Sequence, residues 1–266
     1  MVHFARERCN GCGACINDCL VSCIALDTEN KAYAEKPELC FGCAHCAAIC
    51  PTQAPYLDEY DMNEMLPYNA AAFSLPPEVF LNAVKFRRSV RNFKPEPPPR
   101  ALMCEILEAG RFTETASNRQ AQRFVVVQDS LKELKPLVWD GWNMQLEALH
   151  KNGGLTPKRW GQYDALRREN PPVDRLFFNA PALLVIGGQN PIDAGMALAN
   201  IEHLMVAHGL GMVVMGLVQS AIMANPAARA FIGLEDIPVS GCALFGYPAV
   251  RYHRTVPRKE ADVRWL

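Results

Sequence analysis

The sequence predicts an α+β chain in two parts, a small cysteine-rich domain followed by a larger one in which helices alternate with strands. Three observations carry this reading. Nine of the 11 cysteines lie within the first 50 residues. A four-cysteine pattern recurs there: Cys9, Cys12, Cys15 and Cys19 return as Cys40, Cys43, Cys46 and Cys50, each 31 residues later. From about residue 81 cysteine is sparse, and helix and strand periodicities alternate. The expected division is a domain over 1–56, a linker or wrapping arm over 57–80, and a second domain over 81–266.

Composition narrows the possibilities. Over 266 residues, 50% are hydrophobic and 21% charged, which suits a folded chain and excludes extensive disorder. Lys and Arg total 27 against 28 Asp and Glu, so no general basic field is available for nucleic acid or an anionic membrane. No apolar run reaches the roughly 18 residues a spanning helix needs. The start, MVHFARERCNGC, has no apolar stretch of signal-peptide type. The expectation is a soluble cytoplasmic protein. An odd number of cysteines without an export signal argues against a disulfide framework. Thiols this dense in a reducing compartment point to metal.

The cysteines of the first domain are spaced C-x2-C-x2-C-x3-C in both copies. Each run places three thiolates on a tight loop around one face of a metal–sulfur cube, and the fourth leaves on a helical turn. Gly11, Gly13 and Gly42 let the backbone wrap closely. Structural zinc is the rival, but it takes four ligands and is usually built from separated C-x2-C pairs. Two triplets, each with a fourth cysteine at the same offset, exceed that need. Over about 55 residues this segment resembles the bacterial two-cluster ferredoxins, in which the fourth cysteine of each run ligates the other cluster. The resemblance implies one [4Fe-4S] cluster on Cys9, Cys12, Cys15 and Cys50, and a second on Cys40, Cys43, Cys46 and Cys19. Pro51 follows the fourth cysteine of the second run, whereas Leu20 stands at that place in the first, a local departure. Cys23, Cys104 and Cys242 are expected to be packing residues.

In the second part, Pro99 precedes ALMCEILEAGRF, where Leu102, Ile106 and Ala109 follow helical spacing. RFVVVQD (123–129) and APALLVIGG (180–188) read as strands. Asp193 is expected to cap a helix running to about His208. That helix is apolar nearly all round, as befits a core or a subunit interface, and makes His203 and His208 core histidines. GMVVMGLV (211–218) reads as a strand, Asn225-Pro226 opens a short helix, and SGCALFGYP (240–248) is the last strand. Residues 130–178 give no clean pattern. Their Trp139, Trp142, Trp160 and Tyr163 suit either a stacking pocket or a core or lid.

KFRRSVRNF (85–93) concentrates Arg87, Arg88, Ser89 and Arg91, the fork donors and hydroxyl that a phosphate dianion needs. A solvated basic face is the plain alternative. RRSVRNF, then ILEAGRFTETASNRQAQRFVVV, DAGMALANIEHLMVAHGLGMVVMG, FGYP and RTVPRKEADVRW occur in an order that resembles the nitroreductase superfamily over residues 80–266. The resemblance implies an α+β fold with a mixed sheet flanked by helices, and a homodimer with FMN at the subunit interface. It assigns Arg87, Arg88, Ser89 and Arg91 to the FMN phosphate and ribityl chain, and Asn118 to the flavin ring. Met215 and Gly216 are the strand-end pair whose backbone N–H meets flavin N5. Arg258 and Lys259, with Arg254 as an alternative, close on the phosphate.

The two halves together suggest a one-to-two-electron converter, an FMN-dependent oxidoreductase that takes electrons from iron–sulfur clusters and hands them to a nitroaromatic or quinone-like acceptor. No acid–base side chain for catalysis is identifiable. The fused ferredoxin-like module suggests reduced ferredoxin or another low-potential carrier as the electron donor. The alternatives are direct use of NAD(P)H, dehalogenation or dehydrogenation on the same fold, and a non-enzymatic electron carrier or redox sensor. No G-x-G-x-x-G follows a strand, and neither a phosphate loop nor a G-x-S-x-G elbow is present.

Overall fold

The structure is a computed structural model, which describes residues 1–152, 158–170 and 172–266. Residues 153–157 and 171, within the stretch that gave no clean pattern, lie outside the described residues. The contacts divide the chain into two units, Met1–Leu75 with Thr115–Arg119, and Pro76–Glu114 with Gln120–Leu266.

The first unit is built twice over. Strand β1 (Val2–Phe4), helix α1 (Ala14–Asn17), β2 (Ile24–Leu26), β3 (Ala32–Ala34), α2 (His45–Ile49) and β4 (Pro55–Leu57) follow in order. β1 pairs antiparallel with β4, and β2 with β3. The repeat in sequence is a repeat in backbone. Gly13 and Ala44 take left-handed φ values of 74° and 60° and open α1 and α2. Ser22 and Gln53, three residues past the fourth cysteine of each run, share φ values of 50° and 54°. Leu20 therefore stands in the same turn as Pro51 without changing it. Beyond β4 come the short α3 (Ala70–Phe73) and an irregular chain with exposed Leu66, Tyr68 and Phe73.

The second unit opens with α4 (Pro77–Phe86) and α5 (Arg100–Arg111). Strand β5 (Arg123–Val127) follows, then α6 (Leu131–Lys151), α7 (Lys158–Gly161), α8 (Tyr163–Leu166) and β6 (Ala182–Gly187). The rest is α9 (Pro191–Ala207), β7 (Gly211–Val214), α10 (Gly216–Ala224), α11 (Pro226–Phe231) and β8 (Val239–Gly246). The sheet runs β5-β6-β8-β7, and its described pairings are antiparallel. All six residues of β6 are buried because helices cover both faces of the sheet. Leu183, Val185, Cys242 and Leu244 face one core with Leu134, Val138 and Trp142 of α6. Leu184, Ile186, Ala243 and Phe245 face the other, with Ile106 of α5 and Ile201 and Met205 of α9.

Four expectations change. GMVVMGLV is not one strand: β7 ends at Val214 and a helix begins at Gly216, since GLVQSAIMA presents Val218, Ala221 and Ile222 at helical spacing to the core. The cap of α9 is Asn190, whose side chain accepts from the Ile192 N–H, with Pro191 at the first helical position. Cys104 is exposed, because α5 turns Met103, Ile106 and Gly110 inward and leaves position 104 outside that stripe. His208 is no core histidine: it caps α9 at the surface and pairs with Glu105 at 3.1 Å.

Much of the unassigned stretch 130–178 is the 21-residue α6, which sequence obscured by Pro136 and Gly141. Gly141 has a packing reason: a Cβ there would lie 2.0 Å from the Ala221 carbonyl oxygen, so the crossing of α6 and α10 requires glycine. Trp139 and Trp142 are core, with Trp142 fully buried against Trp160 at 5.6 Å and Tyr163 at 6.0 Å between ring centroids. The aromatic group is a packed cluster, not an open stacking pocket.

Candidate functional site

In the first unit, Cys9, Cys12, Cys15 and Cys50 line one cavity of about 310 Å³ counted out to its mouth. Cys19, Cys40, Cys43 and Cys46 line another of about 360 Å³. Each set takes three thiols from one repeat and the fourth from the other. The local cause is the short helix in each run. The third cysteine sits in its first turn, buried at Cys15 and Cys46, and the chain exits past the helix end carrying Cys19 or Cys50 away.

Backbone donors meet the sulfurs. The N–H of Ala32 reaches Cys9 Sγ at 3.3 Å. The N–H groups of Cys23 and Ala54 reach Cys19 Sγ and Cys50 Sγ, both at 3.4 Å. Burial pushes the Cys15 thiol up and that of Cys46 up to about 11. Burial also acts to raise Cys19 and Cys50. The N–H groups on both, with the Cys23 thiol on Cys19 and the Thr52 hydroxyl on Cys50, outweigh it and bring these two below the usual thiol value. Cys23 is buried, with its Sγ 3.5 Å from Cys19 Sγ, and burial with that contact pushes it up to about 12.

The donor set suits a cluster. Soft thiolates select zinc or iron–sulfur. A zinc ion draws four donors to one point, with sulfur at about 2.3 Å. Among the described residues no three Cys, His, Asp or Glu side chains gather around a single-ion position. Thiols spread around a cavity match the separate iron corners of a cube, and N–H groups aimed at sulfur are part of how such clusters are tuned.

In the second unit the arginine segment leaves α4 at Arg87 and runs without helix to Phe93. Val90 is buried, and its N–H donates to the Met212 carbonyl at 3.0 Å. A Cβ on Gly211 would lie 2.4 Å from Val90 Cγ2, so glycine lets the segment lie against β7. This holds Arg88 and Ser89, both half-buried, and exposed Arg91 beside the strand that leads to Met215 and Gly216. Arg87 Nη1 bonds Glu202 Oε1 at 3.0 Å. Burial raises the Glu202 carboxyl above its ordinary value despite the guanidinium. Glu202 escaped the sequence reading; its signal was a lone carboxylate on an otherwise apolar helix face, which needs a cationic partner.

The Met215 N–H donates to the Cys242 carbonyl at 2.8 Å, inside the sheet. The donors that face outward therefore begin with Gly216, whose N–H opens α10 and has no partner within that helix. Gly216 is exposed, with no atom within 4 Å of where a Cβ would stand. Donors of this kind at a helix start suit an anion, and the arginine segment is bonded to the strand that leads there, at Met212. The tail is not gathered in: Arg254, Arg258 and Lys259 lie in an exposed chain without regular structure, and among the described residues no hydrogen bond or ion pair joins them to 87–91. Asn118 groups with the first unit.

Residues 84–247 match the nitroreductase family. The chain belongs to the nitroreductase family. Residues 8–54 match the 4Fe-4S dicluster domain, so this family member carries that domain at its N-terminal side. A solved nitroreductase with bound FMN from Desulfitobacterium hafniense is similar in fold, with a TM-score of 0.55 and 23% identity, covering 70% of this chain and 97% of that one. The cysteine region is 31% identical over 70 residues to a "7Fe" ferredoxin from Hydrogenibacillus schlegelii, 87% of that protein. It is also 38% identical over 52 residues to indolepyruvate oxidoreductase subunit IorA of Thermococcus kodakarensis. There the match spans 20% of this chain and only 8% of that subunit. Among the described residues no helix is long and apolar enough to cross a membrane.

Proposed function

We propose that this nitroreductase-family chain is a flavin- and iron–sulfur-dependent oxidoreductase. Electrons enter at two [4Fe-4S] clusters, pass to FMN and leave to a nitroaromatic or quinone-like acceptor. The observation that carries the reading is the pair of four-thiol cavities, each drawn from both repeats, on a chain of this family. Cys9, Cys12, Cys15 and Cys50 would hold one cluster, and Cys19, Cys40, Cys43 and Cys46 the other.

On the flavin side, Arg88, Ser89 and Arg91 would take the phosphate and ribityl chain, with Arg87 oriented by Glu202. The Met215–Gly216 turn offers its outward N–H to the ring. Arg258 and Lys259 would reach the phosphate once the tail folds over. FMN supplies the chemistry that turns single electrons into a transferred pair. For each acceptor reduced by two electrons, two equivalents of a low-potential donor such as reduced ferredoxin each lose one. The two protons that balance the reduction are drawn from water.

A homodimer is supported by Val79, Phe80, Leu81, Val84 and Phe86, which leave α4 with exposed apolar surface. Anaerobic purification with iron, sulfide and flavin quantitation tests the cofactor set. About eight irons and one FMN per chain are expected. Zinc in place of iron, or no flavin, overturns it.

A further inference from the structure

Asn118 makes a hydrogen-bond network that a flavin ligand does not require. Its Nδ2 donates to the Gly42 carbonyl at 2.9 Å and to the Tyr60 hydroxyl oxygen at 3.1 Å. The Tyr60 hydroxyl donates to the same carbonyl at 3.0 Å. Both hydrogens of the amide and both lone pairs of the carbonyl are thereby engaged. Gly42 lies between Cys40 and Cys43, in the loop that wraps the cavity of Cys19, Cys40, Cys43 and Cys46, and has a φ of 69°.

The segment bearing Asn118 is itself strained. Ser117, Asn118 and Gln120 have φ values of 54°, 50° and 47°, and none is glycine. Residues in such conformations persist only where their surroundings hold them. The bonds from Asn118 to Gly42 and Tyr60 are part of that hold. The other repeat has no such clamp: among the described residues no side chain donates to the carbonyl of Gly11, the counterpart of Gly42. The asymmetry is informative because the two cluster loops otherwise share their backbone. Within the first unit, Asn118 ties the Cys40–Cys46 loop to the segment Thr115–Arg119.

We propose that Asn118 and Tyr60 are positioning residues for the cluster on Cys19, Cys40, Cys43 and Cys46: they hold the Gly42 turn of its loop and so set its potential apart from that of its twin. The inference rests on the relay reading above. Hydrogen bonding and exposure around a cluster set its potential, so loosening the clamp is expected to act on one cluster and spare its twin.

The test is a potentiometric titration followed by electron paramagnetic resonance on the full-length holoprotein, comparing wild type, Asn118→Ala and Tyr60→Phe. The two cluster signals are assigned with Cys12→Ala and Cys43→Ala. Both clamp variants are expected to shift the midpoint potential of the Cys43 cluster and leave the other in place. Single-turnover flavin reduction by pre-reduced clusters is expected to slow about 10-fold or more in Asn118→Ala and less in Tyr60→Phe, as for other residues just outside a metal's ligands. Tyr60→Phe removes one hydroxyl and keeps the ring, so it carries the test if Asn118→Ala fails to fold. The proposal is overturned if neither potential moves, if the Cys12 cluster moves instead, or if Asn118→Ala loses FMN while both potentials hold. Wild-type clusters that stay reduced beside oxidised flavin overturn the relay reading itself, an outcome visible before any variant is made.

Discussion

Strands of the first unit are three residues long, and four of its ten buried core residues are cysteines. The second unit buries β6 whole and packs apolar side chains on both faces of its sheet. Small domains bury too little surface to be stable by apolar contact alone, and metal binding then becomes folding energy. The comparison teaches that the cysteine unit is expected to depend on metal for its fold, whereas the sheet unit buries enough apolar surface to fold without a cofactor.

The contrast breaks most visibly at a cluster ligand. Cys43→Ser is expected to halve the iron content and to raise amide exchange through Met1–Leu75, while β6 and α9 stay protected. Hydrogen exchange with iron analysis checks both, and equal protection in the two proteins would contradict the contrast. Next in size is the opposite experiment. Trp142→Ala empties a fully buried site among Trp160, Tyr163 and α10, and is expected to destabilise the second unit by about 3–5 kcal/mol. A urea titration should show that loss with the iron–sulfur absorption unchanged.

The smallest effect is a pH dependence. The buried Glu202 carboxyl is held above its ordinary value of 4.5. The native state thus favours the protonated form more than the unfolded chain does. This contribution to stability is fully present below 4.5 and is lost as pH rises through the higher native value. Urea midpoints of the second unit should fall less between pH 4.5 and 7 in Glu202→Gln than in wild type.

The repeat of 31 residues carried most of what was legible. Ligand spacing constrains backbone so tightly that the two thiol sets, and even the left-handed turns at Ser22 and Gln53, follow from it. Continuous apolar runs gave β6 and β8 for the same reason that they are buried on both faces. The failures have a common cause, a distant partner that overrides a local signal. Gly141 looks like a helix breaker until Ala221 is seen against it. The strand pattern at 211–218 yields to a helix because Val218 and Ile222 face a core supplied by α6. Tyr60 and Glu202 acquire roles through partners outside their own elements, Gly42 with Asn118 and Arg87.

The central claim is that the clusters feed the flavin, and anaerobic rapid mixing with a low-potential one-electron donor tests it most directly. The account predicts that cluster absorption bleaches first, that the flavin band follows at the rate of cluster reoxidation, and that Cys43→Ser abolishes the second phase. Flavin that reduces as fast in Cys43→Ser as in wild type would contradict it.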